Sequence, residues 1–172
     1  ENEEIKIEVT FEKHLESKIL KALFKNHVYE EVAYEISELQ NQHQNIGLGM
    51  IGELENEMNE NDFLQIVKEK MQCESIRHSA FLNKKIKKVA VLGGSGSFAI
   101  GHAKRLGANA FLTADLKYHQ FYEAENQLLL ADIGHYESER YTKNYIVDFL
   151  IKKFPNFAII LSEQNTNPVK YF

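Results

Sequence analysis

The chain has no tryptophan, one cysteine, two prolines and no apolar run approaching the roughly 20 residues a membrane-spanning helix needs. Each shortage excludes something. A lone Cys73 cannot close an internal disulfide, which points to a reducing compartment. With no signal-peptide pattern either, a soluble, cytoplasmic protein is the expectation, and a membrane is not expected as a partner. Basic blocks are also missing: 20 Lys+Arg are interspersed with 25 Asp+Glu for a net charge of -5. An extended phosphate backbone finds no stripe to lie on, so nucleic acid is not expected as a partner. The chain opens on Glu1 rather than methionine, and its natural start is expected upstream.

What is present suffices for a real core. A length of 172 residues with 44% hydrophobic content fits one medium domain or two small ones. Ile5, Ile7, Val9 and Phe11 alternate with polar residues, the period-two mark of a half-buried strand. Leu15, Ile19, Ala22 and Leu23 then recur at helical spacing, closing at His27. Val32, Tyr34 and Ile36 mark a strand within 31–39, and 41–45 is a polar loop. Residues 46–54 are apolar and broken by Gly47, Gly49 and Gly52, which suits a strand that bulges. A helix capped by Asn61 or Asp62 carries Phe63, Ile66, Val67 and Met71, and 75–80 reads as a last strand. The order β-α-β-β-α-β over residues 1–82 is the ferredoxin-like plan of an α+β domain.

The lysine-rich stretch 84–88 reads as a solvated connector, and a second unit is expected over 83–172. There strands at 89–92, 110–113, 128–133 and 157–161 alternate with helices at 98–106, 118–126 and 136–154. That is the grammar of an α/β, mostly parallel sheet, whose ligands collect at the carboxyl ends of the strands.

Three features stand at such ends. Gly94, Ser95 and Gly96, with Ala99, fit a G-x-G-x-x-A turn that is able to cradle an anion, and Asp115 follows at a distance suited to a ribose hydroxyl. A dinucleotide site and a plain strand-to-helix turn both remain open. Asp115 and His119 are also placed to exchange protons with a bound substrate, or simply to cap a helix and face solvent. In Gly134-His135-Tyr136-Glu137-Ser138-Glu139, a histidine and a glutamate four apart share one helical face and are able to share a metal ion. The plainer alternative is a helix start whose Glu137 and Glu139 complement the dipole.

Taken together, Val89-Ala90-Val91-Leu92-Gly93-Gly94-Ser95-Gly96-Ser97, Leu112-Thr113-Ala114-Asp115-Leu116-Lys117-Tyr118-His119, Gly134 to Glu139, and Thr166-Asn167-Pro168 resemble the C-terminal half of the Nif-three-like family. Its bacterial members carry the name GTP cyclohydrolase 1 type 2 homolog. His27-Val28-Tyr29-Glu30-Glu31-Val32 and Gly47-Leu48-Gly49-Met50-Ile51-Gly52 resemble the PII-like or CutA-like domain inserted between the halves of longer members. Two departures are Val28 in place of the usual proline and Ala114 in place of the usual glycine.

The resemblance implies a dinuclear centre of divalent metal ions, with His135 and Glu139 as ligands, in a homohexamer. Zinc, iron or manganese all suit imidazole plus carboxylate. It also implies further ligands, an adjacent histidine pair and an aspartate, in an N-terminal half; no His-His pair occurs here. This chain alone is therefore expected to hold part of the site and to be inactive. For the intact protein the expectation is a metal-dependent hydrolase acting on a nucleotide or related small heterocycle. The alternative is a non-enzymatic metal-binding regulator or scaffold with a ligand-sensing insert.

Overall fold

A strand buried on both faces needs a near-continuous apolar run, and residues 110–114 and 128–133 meet that demand at all but Thr113 and Asp132. The computed structural model describes residues 5–41 and 46–172 and divides the chain into two compact units, Glu1–Gln42 and His43–Phe172. The first holds a short 3-10 turn and helix α1 (Glu16–Asn26), close to the expected 15–27.

The second unit is an α/β fold built on a five-strand mixed sheet. Its strands are β1 (Met50–Asn59), β2 (Arg77–His78), β3 (Lys85–Ser95), β4 (Ala110–Ala114) and β5 (Leu129–Asp132), in the spatial order β1-β3-β4-β5-β2. The central β3-β4-β5 set is parallel, and β1 and β2 pair antiparallel at the two edges. Helices α2 (Glu60–Met71), α3 (Ile100–Arg105), α4 (His135–Glu139) and α5 (Thr142–Lys153) complete it, with a 3-10 helix at Tyr118–Ala124.

Alternation along β4 and β5 sorts side chains into two cores. Ala110, Leu129, Ala131 and Ile133 pack with Ile86 and with Phe63, Leu64 and Val67 of α2. Phe111, Leu128 and Leu130 face the other way, against Ile100 and Ala103 of α3 and against Leu116 and Ala124. Both faces of the sheet are thus covered, and the functional end is left to the loops.

Several elements differ from expectation. Residues 5–11 and 31–39 join no ladder among the described residues, and Ile5 and Ile7 are 91% and 82% exposed. Alternation marks a face that needs a cover without supplying one. Residues 157–161 likewise form no strand, with Phe157 and Ile160 exposed; a short apolar run carries no period by which to assign it. The expected helix over 136–154 is two helices, because Tyr141 restarts the winding with a tighter turn, the Asn144 amide reaching its carbonyl at 3.1 Å. The cap of α2 is Asn59, whose Oδ1 accepts the Asp62 amide at 2.8 Å, in place of Asn61 or Asp62.

Candidate metal centre

The parallel strands deliver Gly94, Asp115 and His135 to one edge of the sheet. β3 ends in the glycine turn, β4 stops at Ala114 just before Asp115, and β5 leads through Gly134 into α4. Asp115 adopts φ +57, a left-handed conformation that turns the chain sharply away from the strand. Gly134, at φ +90, makes the corresponding turn after β5.

His135 is gripped from both sides. Its Nδ1 lies 2.6 Å from Asp115 Oδ2 and its Nε2 lies 3.3 Å from Glu139 Oε2. The hydrogen bond to Asp115 raises the imidazole pKa first of all; desolvation opposes it, and the charges of Asp115 and Glu139 add to the rise. The two carboxylates therefore favour the proton on His135.

Gly94 is where the strand lets α4 approach. A Cβ there would stand 2.6 Å from Glu139 Oε1 and 3.4 Å from His135 Cε1, so this face of the turn is occupied by the side chains of His135 and Glu139. The Gly94 amide donates to Ser138 Oγ at 2.8 Å, and Thr113 Oγ1 donates to the Gly94 carbonyl at 3.0 Å. One amide of the expected anion cradle is thus already used, and a carboxylate lies where a pyrophosphate would meet repulsion. Ser95 remains in the ladder opposite Ala114, and Gly96 packs against Thr113 and Leu92.

Around this pair the supporting residues are buried and satisfied. Asp132, 5% exposed, accepts from the Arg77 guanidinium, from the Leu116 amide at 2.9 Å and from the Gly134 amide at 3.0 Å. Glu137, 6% exposed, accepts from Asn167 Nδ2 at 3.1 Å. A cavity of about 770 Å³ opens beside them, with Asp115, His135, Glu139, Arg77, Glu137 and Asn167 in its wall. That is the size of a small-molecule site.

His119 is not brought to it. The side chain is exposed, lies edge-on to the Tyr118 ring and is not part of the cavity wall. Conversely, Thr113, Asp132, Glu137 and Ser138 were not singled out as site residues from the sequence. A polar residue at the end of an otherwise apolar strand is the signal that marks Thr113 and Asp132.

Two ligands of a tetrahedral zinc at about 2.0–2.2 Å stand about 3.3–3.5 Å apart. The His135–Glu139 separation matches that edge, so the pair fits a metal as two donors. Among the described residues no group of three or more His, Cys, Asp or Glu is arranged to hold a metal ion. The described residues thus offer two donors, fewer than a zinc site takes.

Comparison with known proteins gives this arrangement its context. The Duf34/NIF3 (NGG1p interacting factor 3) family matches residues 4–168. The chain belongs to that family. It is 38% identical over 174 residues to a GTP cyclohydrolase 1 type 2 homolog of Bacillus subtilis, covering 98% of this chain and 46% of the relative. A Staphylococcus epidermidis protein of the same name is 36% identical, with 98% and 47% covered. Among solved structures, a Bacillus cereus protein related to NIF3 superposes with a TM-score of 0.79 at 35% identity, over 92% of this chain and 45% of that one. A Staphylococcus aureus protein gives 0.79 at 31% identity, over 96% and 55%. The chain spans about half the length of the curated relatives it matches. No helix among the described residues is long and apolar enough to cross a membrane.

Proposed function

We propose that this chain supplies His135 and Glu139 to a dinuclear divalent-metal centre completed by residues outside it. The intact protein would then be a metal-dependent hydrolase of the GTP cyclohydrolase 1 type 2 kind, acting on a nucleotide or related heterocycle. The observation that carries this reading is the 3.3 Å spacing of His135 Nε2 and Glu139 Oε2 on a helix pressed against Gly94, beside a substrate-sized cavity. The metal would supply Lewis acidity and a lowered water pKa. The chain's own residues orient the donors and wall the cavity; Asp115 stands at that wall as a candidate for carrying a proton, and His119, exposed and away from it, does not.

The same reading takes residues 1–82 as related to a PII-like insert and 83–172 as half of the metal-binding domain, in a cytoplasmic homohexamer, although residues 50–78 pair and pack with the sheet of 83–172 in place of closing a ferredoxin-type domain of their own. A non-catalytic metal-binding scaffold is the second reading, favoured by the incomplete donor set among the described residues. Hydrolysis of a nucleotide panel by the metal-loaded, full-length protein separates the two. Turnover that falls at least about 100-fold in His135→Ala and Glu139→Ala supports the hydrolase. Turnover indifferent to both would sink the dinuclear mechanism, and bound metal without turnover on any nucleotide leaves the scaffold.

A further inference from the structure

We propose that Asp115 is a positioning residue: its carboxylate fixes the tautomer and the direction of the His135 ring so that Nε2 is the nitrogen turned towards the metal position beside Glu139. This rests on the metal-donor reading of His135.

Both ring nitrogens face a carboxylate: Nδ1 lies 2.6 Å from Asp115 Oδ2 and Nε2 lies 3.3 Å from Glu139 Oε2. A neutral imidazole carries one N–H and one lone pair, so the two carboxylates compete for a single proton, and the shorter contact places it on Nδ1 and leaves the lone pair on Nε2, the nitrogen on the Glu139 side. Without Asp115 the proton would pass towards Nε2, and much of the population would present an N–H to the metal.

The backbone is built to aim that carboxylate. Asp115 sits in the left-handed region at φ +57, a conformation that costs a non-glycine residue free energy and that Asp tolerates better than most. Pins on either side hold it there. Before it, the Ile133 amide donates to the Thr113 carbonyl at 2.9 Å, and Thr113 Oγ1 holds Gly94. After it, the Leu116 amide donates to buried Asp132, and the Leu116 carbonyl accepts from Arg77 at 2.7 Å. Gly94 lies against the Cε1 edge of the ring, so the imidazole is confined on a third side.

The test uses two substitutions that the left-handed backbone accepts, Asp115→Asn and Asp115→Gly. Long-range nitrogen–proton correlation spectra, recorded in the metal-free protein at a pH where His135 is neutral, read its tautomer directly. Zinc titration reads the consequence. The expected result is a wild-type ring protonated at Nδ1, a ring shifted towards the Nε2–H form in Asp115→Gly, and zinc affinity lowered about 10–100-fold in both variants. Thermal melts within a few degrees of wild type confirm that the fold survives. An unchanged tautomer in Asp115→Gly, or unchanged zinc affinity in both variants, would overturn the proposal; the latter with reduced turnover makes Asp115 a proton carrier instead. If even the wild type binds no zinc, the donor reading of His135 fails, and the tautomer alone decides whether Asp115 fixes the ring.

Discussion

At the scale of single residues, Gly94 carries a double constraint, a positive φ and a carboxylate against its Cα. Gly94→Ala has to adopt a strained backbone and push Glu139 Oε1 away, with an expected cost of about 1–3 kcal/mol in a denaturation midpoint and a weaker metal site. The glycine was legible in the sequence as a turn. Its real use, admitting a helix from elsewhere in the chain, was not, because the neighbour is 45 residues away. Cys73 illustrates the same limit. Burial, followed by the charge of Glu137, pushes its thiol from 9.0 to about 11. The folded state therefore keeps a proton that the unfolded state gives up between about pH 9 and 11. This contribution to stability is complete below pH 9 and lost as pH rises through 11. Comparing denaturation midpoints of wild type and Cys73→Ala across that window should show a steeper alkaline loss in the wild type. Reaction of the native thiol with a disulfide reagent at pH 8 should be much slower than that of the unfolded chain.

At the scale of elements, legibility followed how completely a residue pattern states its own surroundings. The strands at 110–114 and 128–133 are apolar at all but Thr113 and Asp132, a pattern that calls for burial on both faces, and they stand close to where the sequence places them. The segments at 5–11 and 31–39 state that one face needs covering and leave the cover unspecified. Helix α2 was placed correctly from its apolar spacing, while its start was missed by two or three residues, since Asn59, Asn61 and Asp62 are all competent caps and packing chooses among them. The bond from Asp62 to Asn59 predicts that Asn59→Ala costs about 1 kcal/mol in chemical denaturation. Asn61→Ala should cost only a few tenths.

At the scale of the whole molecule, the sheet order explains why the site assembles where it does. Three parallel strands end together, and each hands over one element of the site: a glycine turn, an aspartate in a left-handed turn, and a helix that begins with histidine. The spacing of His135 and Glu139 and the glycine turn were readable in order along the chain. The Asp115–His135 bond was not, since 20 residues separate the partners and only the parallel pairing of β4 with β5 brings them together. His119, four residues beyond Asp115, is carried off by the 3-10 helix to an exposed position.

The claim on which this account turns is that one ion is shared by His135 and Glu139. Calorimetric zinc titration of this chain near neutral pH, beside His135→Ala, Glu139→Ala and the double variant, tests it most directly. The account predicts weak binding by the wild type, at least about a 10-fold loss in each single variant, and a double variant little worse than the poorer single one, because both remove the same site. Zinc binding as tight in the well-folded single variants as in the wild type would contradict it.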